Sequence, residues 1–138
     1  MNTRHESLPA AMEQAAGRML EMVTGSWAAQ IVRTFAELGV ADLLAEQPAD
    51  LDALGARLGV AVDALRRLLR AGVALGLLVR DPQRRYAATP LLACLRTGVD
   101  GSMRGLAMAL GMPGHWLPWG RLPEAIRSGE RQTLGTLD

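Results

Sequence analysis

The residue types that carry chemistry are sparse and scattered in this chain. Its two histidines, His5 and His115, stand near opposite ends, and no cysteine or carboxylate cluster surrounds either. A zinc site needs three or four converging nitrogen, sulfur or carboxylate ligands, so no metal centre is expected. The single cysteine, Cys94, lies in the apolar run Leu91 to Leu95 and reads as a small core residue. His115, beside Trp116, reads as a packed or surface histidine. With His5 in a polar terminus, no Ser-His-Asp or Cys-His set can be assembled. The glycine pairs Gly98/Gly101 and Gly111/Gly114 do not make a phosphate loop, because no strand precedes them and no helix start is placed to receive an anion.

The remaining grouping with chemical sense is basic. Arg66, Arg67 and Arg70 fall on one predicted helix, and Arg84-Arg85 fall on the turn beyond it, as phosphate contacts would. Against this, Asp50, Asp52, Asp63 and Asp81 share the same stretch. The outward face also lacks the Asn, Gln, Ser and Thr that read base edges. The net charge is +1, so no global field draws the chain to nucleic acid. All 15 basic residues are arginine, which GC-rich coding alone would give. Nucleic acid is not the expected partner.

The stretch from Pro48 to Pro90 organises the elements. A short helix from about Leu51 to Leu58 is capped by Asp50 and meets a tight turn at Gly59-Val60. A second helix, about Val62 to Leu75, buries Leu65, Leu68, Leu69 and Val73 and stops at Gly76. Gly72 inside it costs about 1 kcal/mol against alanine, so close packing is expected there. Two strand-like runs, Leu77 to Arg80 and Arg85 to Ala88, flank the turn Asp81-Pro82-Gln83-Arg84. This is the order of a winged helix-turn-helix, a module that serves DNA binding and protein packing alike.

Upstream, Met1 to Leu8 reads as a frayed lead-in. Ala10 to Val23 reads as a helix, Thr24-Gly25-Ser26 as an interruption, and Trp27 to Leu38 as a second helix with Ser26 as its cap and Gly39 as its stop. A short helical turn follows at Ala41 to Ala45. Downstream come a short helix at Leu91 to Leu95, a loop at Thr97 to Gly101, and a helix to about Leu110 capped by Asp100 or Ser102. Met103, Leu106, Ala107 and Leu110 form its apolar side. After the break at Gly111 to Gly114, a last helical piece is expected from Leu122 to Arg127, and the tail from Glu130 shows no period.

The two upstream helices are too apolar for a one-sided core. A helix apolar on more than one face is buried on more than one face, either as a central pair in a monomer or, as favoured here, against another chain. Bulk properties set the class: 138 residues, 49% of them apolar, fit one domain with a real core. No run approaches the roughly 18 apolar residues of a membrane span, and the polar N-terminus lacks a signal-peptide core. One cysteine allows no internal disulfide. A cytoplasmic protein is expected, with no membrane partner.

Several runs, taken in order, resemble one family. They are Leu20 to Leu44 (LEMVTGSWAAQIVRTFAELGVADLL), Leu65 to Leu69, Leu75-Gly76-Leu77-Leu78 and Tyr86-Ala87-Ala88-Thr89-Pro90. They continue with Gly101-Ser102-Met103-Arg104, His115-Trp116, Trp119-Gly120 and Arg127-Ser128-Gly129. The set resembles the N-terminal region of bacterial small-molecule O-methyltransferases that use S-adenosylmethionine, including those acting on polyketide and other aromatic natural products. The plant caffeate-type enzymes are similar.

The resemblance implies a mainly α dimerisation domain with a winged helix-turn-helix and a small two-stranded wing. It implies interlocking helices over 10–45, the winged helix over 48–90 and lid helices over 91–129, in a homodimer. The dimer-interface candidates are Met12, Met19, Leu20, Val23, Trp27, Ile31 and Phe35. The substrate-lid candidates, for a small aromatic substrate, are Met103, Met108, Met112, Trp116 and Trp119. The family's glycine-rich loop for S-adenosylmethionine and its general-base histidine have no matching position in these 138 residues. No cofactor site or catalytic residue is therefore carried over; the catalytic Rossmann-like domain is absent from these 138 residues, and its existence as a continuation, as a separate chain or not at all stays open. Two other readings stay open: a free-standing small-molecule-binding or regulatory partner domain, and a winged-helix DNA-binding regulator.

Overall fold

The computed structural model describes residues 8 to 133. The expected lead-in up to Ser7, with His5, and the end of the tail lie outside the described residues.

The chain opens with one helix, α1 (Leu8–Leu38), of 31 residues. At 1.5 Å per residue it is about 46 Å long. The expected break at Thr24-Gly25-Ser26 does not occur. Gly25 weakens a helix by about 1 kcal/mol but removes no hydrogen-bond donor, and the Thr24 hydroxyl donates to the Leu20 carbonyl at 2.7 Å. Ser26 is therefore inside the helix and caps nothing. Gly39, with φ 69°, ends α1 in the left-handed conformation that glycine adopts without strain.

A short helix, α2 (Val40–Leu43), turns the chain into α3 (Leu51–Leu58). The Asp50 carboxylate caps α3 by accepting the Ala53 amide at 2.8 Å. α4 (Val62–Ala74) follows the Gly59 turn, with Asp63 in its first turn, where the helix dipole favours an acid. β1 (Leu78–Arg80) and β2 (Tyr86–Ala88) form an antiparallel hairpin with Leu78 opposite Ala88. Asp81 closes its turn by accepting both the amide and the Nε–H of Arg85 at 2.8 Å. Arg84 is held at φ 65°, a conformation costly for a side-chain-bearing residue. Ala49 and Tyr86 exchange backbone hydrogen bonds of 3.0 and 2.8 Å, so the hairpin is tied to the entrance of α3. The expected helix-turn-helix and wing are present.

α5 (Pro90–Ala93) starts at Thr89, whose hydroxyl accepts the Leu92 amide and donates to the Gly76 carbonyl. α6 (Arg104–Gly111) begins beside Ser102, whose hydroxyl accepts the Arg104 amide at 3.3 Å. α7 (Pro113–Gly120) and α8 (Leu122–Ser128) complete the described chain. The stretch His115 to Trp119, given no element from the sequence, is helical here although Pro118 stands inside α7.

The core forms where the C-terminal half of α1 meets the winged helix. Phe35, Leu54, Leu69, Leu78 and Leu92 are fully buried there. Phe35, expected at the dimer interface, is thus enclosed within one chain. The expected close packing at Gly72 is found. A Cβ there would stand 2.5 Å from the Phe35 ring and 3.1 Å from Leu78. Val73, expected in the buried stripe of α4, is 38% exposed instead. α6 is fastened to α1 by the Arg104 guanidinium, which donates to the Ala36 carbonyl at 2.9 Å. Asp42 joins α2 to the loop before α6 by accepting the Thr97 amide at 2.9 Å and its hydroxyl at 2.8 Å.

Two predictions follow from this packing. Gly72→Ala gains helix propensity of up to about 1 kcal/mol but drives a methyl into a fully buried ring. Its net effect is a loss of about 1–3 kcal/mol, read as a lower urea midpoint. For Asp42, partial burial works to raise the pKa, but the Thr97 hydrogen bonds, Arg104 and Arg96 outweigh it and leave the carboxyl below its usual value. A depressed folded-state pKa stabilises above the unfolded pKa, and that stabilisation is lost as pH falls through the folded one. Asp42→Asn should therefore lower the melting temperature at neutral pH, and its gap to the parent should close as pH drops below the ordinary aspartate range.

Candidate functional site

Two apolar surfaces stand out, and both are built on α1. The first is an outer stripe on its N-terminal half. Met12, Met19, Leu20, Val23 and Trp27 recur at helical spacing and are 58–69% exposed, with Trp27 at 69%. Ile31 continues the stripe toward the body of the fold and is half-buried against the core.

The second surface is an open groove of about 1030 Å³. Its floor is α1 at Gly25, Ala29 and Val32, where small side chains leave room. One wall is α6, with Met103, Leu106 and Leu110, and α7 with Trp116 and Trp119; Leu77, Leu91 and Leu95 face them. Close approach of α6 to α1 is set by Gly111, where any Cβ would collide with the Arg33 side chain. The two surfaces lie on opposite sides of the helix. At roughly 100° per residue, Val23 and Trp27 stand roughly 160° from Gly25.

Of the lid candidates, Met103, Trp116 and Trp119 line the groove. Met108 packs against the core instead, and Met112 is an exposed residue between α6 and α7 that does not face the groove. Cys94 is not a core residue: it is exposed, lines the groove, and its thiol lies 3.5 Å from the Pro90 carbonyl. The turn of α5 is too short to bury every side of the Leu91 to Leu95 run, and Cys94 takes the open side. Leu75, Leu77 and Leu91 were not singled out as groove residues. They come from separate short elements, and only the tertiary fold brings them together.

His115 sits at one end of the groove. Its Nε2 accepts the Trp119 indole N–H at 3.3 Å, with the two rings edge to face. Among the described residues no group of three His, Cys, Asp or Glu side chains could hold a metal ion. No helix in the described region is long and apolar enough to cross a membrane. On the winged helix, Arg66 lies 3.7 Å from Asp63 and Arg85 is paired with Asp81, so part of the basic set is engaged locally.

Known proteins resemble this chain in sequence and fold. The O-methyltransferase dimerisation domain model matches residues 20–98. A phenazine O-methyltransferase of Lysobacter antibioticus is 33% identical over 112 residues, covering 81% of this chain and 33% of that enzyme. The chain spans about a third of the length of the curated relatives it matches. The structure of the mitomycin 7-O-methyltransferase superposes with a TM-score of 0.78 at 31% identity, over 88% of this chain and 36% of that one. Human N-acetylserotonin methyltransferase, solved with its methyl donor, also gives 0.78, at 28% identity over 99% of this chain and 39% of that one. The matched region runs from the middle of α1 through the wing to the loop after α5 and takes in more than half of the sequence, so the chain belongs to the O-methyltransferase dimerisation domain family.

Proposed function

We propose that this chain is the dimerisation and substrate-lid region of an S-adenosylmethionine-dependent O-methyltransferase acting on an aromatic or polyketide-type small molecule. In this reading two copies associate through the outer stripe of α1, and the α6–α7 wall of the groove covers the substrate. Methyl transfer and S-adenosylmethionine binding belong to the rest of the enzyme, on the same chain or on a separate one. The supporting observation is the stripe itself. Five large apolar side chains lie more than half exposed on one helix face, and burying each fully is worth about 1.5–3 kcal/mol. Among the described residues nothing covers them, whereas a two-fold related copy presents the same stripe in return. The names of two relatives point the same way: phenazine and mitomycin are aromatic or quinone-like frameworks.

The test is sedimentation equilibrium at micromolar concentration. The unaltered chain should sediment at twice its 14.8 kDa, and Val23→Glu combined with Trp27→Glu should give a monomer of unchanged helical content. A monodisperse monomer of the unaltered chain would sink the dimer reading.

A further inference from the structure

We infer that the groove between α1, α6 and α7 takes a flat, uncharged aromatic ligand and discriminates against the same framework carrying a carboxylate. This rests on the reading of the groove as a ligand wall.

The argument is one of charge. None of the described residues lining the groove is Arg, Lys, Asp or Glu. The polar side chains on it are Ser26, Cys94 and His115, all able to hydrogen-bond a hydroxyl or carbonyl. The His115 imidazole is engaged at the end of the groove, where its Nε2 accepts the Trp119 N–H at 3.3 Å. Two arginines on the same helices stand outside the lining, Arg33 beside Gly111 at the groove edge and Arg104 toward the core. Arg33 pairs with Glu37 at 3.4 Å, and Arg104 donates to the Ala36 carbonyl. An anion entering the groove would shed its hydration and meet no opposite charge, which is costly. A neutral ring loses little and gains the faces of Trp116 and Trp119 and the thioether of Met103.

The occupant is a small molecule rather than a second copy because the unpartnered stripe lies on the far side of α1. A dimer formed through Val23 and Trp27 leaves the floor at Gly25 and Ala29 open. The volume sits at the upper end of the roughly 300–1,000 Å³ of small-molecule pockets, enough for a fused ring system.

The experiment titrates the unaltered chain at neutral pH with two probes of equal shape, an anthracene bearing a hydroxymethyl group and the same ring bearing a carboxylate, followed by tryptophan fluorescence. The hydroxymethyl probe should bind saturably, and the carboxylate should bind about tenfold or more weakly. Leu110→Arg places a guanidinium in the wall at a position already 44% exposed, and it should close that gap. Equal affinity for both probes overturns the charge inference and leaves the groove reading standing. Binding of neither overturns both. A gap unchanged by Leu110→Arg, in a variant of parent-like helical content, removes charge as the cause and overturns the inference as well.

Discussion

A helix of 31 residues with apolar side chains on two faces is only partly covered by the other described residues, and the rest of the structure depends on that constraint. Its C-terminal half is covered by the winged helix, through Phe35, Ala36 and Val32. Its N-terminal half is not. Between the two, α6 and α7 approach without filling the space, and the groove is what remains. The core, the exposed stripe and the groove are therefore three consequences of one element that is longer and more apolar than one small domain can enclose.

The winged helix acts in this arrangement as a packing block. Its second helix, α4, buries Leu65, Leu69 and Gly72, with Gly72 against the Phe35 ring of α1 and Leu65 near Gly55 of α3. The hairpin is held by Asp81, by the Ala49–Tyr86 bridge, and by Arg80 stacked over the Tyr86 ring at 5.5 Å. These contacts hold the wing against the body without Arg66, Arg67 or Arg70.

Much of this was legible in the sequence where local chemistry decides the outcome. Asp50, Gly59, Gly76 and Thr89-Pro90 mark helix ends through caps and left-handed turns that need no tertiary partner. The close approach at Gly72 was readable because a glycine in a helix needs a reason. Thr24-Gly25-Ser26 misled, since the same residue types stop a short helix but are carried by a long one that gains hydrogen bonds on both sides. Pro118 hid α7 for a related reason. The groove was half legible: Met103, Trp116 and Trp119 belong to it, whereas Met108 is turned to the core on α6 and Met112 sits in the extended link between α6 and α7. Cys94 and Leu91 were misplaced or missed because burial of a four-residue helix is settled by its neighbours, not by its own pattern.

The continuity of α1 also governs which kinds of change the gene can absorb. Because the groove floor and the outer stripe are phased on one uninterrupted helix, an inserted or deleted residue between Trp27 and Val32 would turn the stripe and the Gly25 end of the floor together by about 100° relative to Val32 and the core-packed end. Point replacements leave that phase intact. The loop from Thr97 to Gly101 carries no such phase, and lengthening it costs only a few tenths of a kcal/mol. Length variation among functional versions of this domain should then collect in the loop and be purged from the helix, making α1 a fixed ruler.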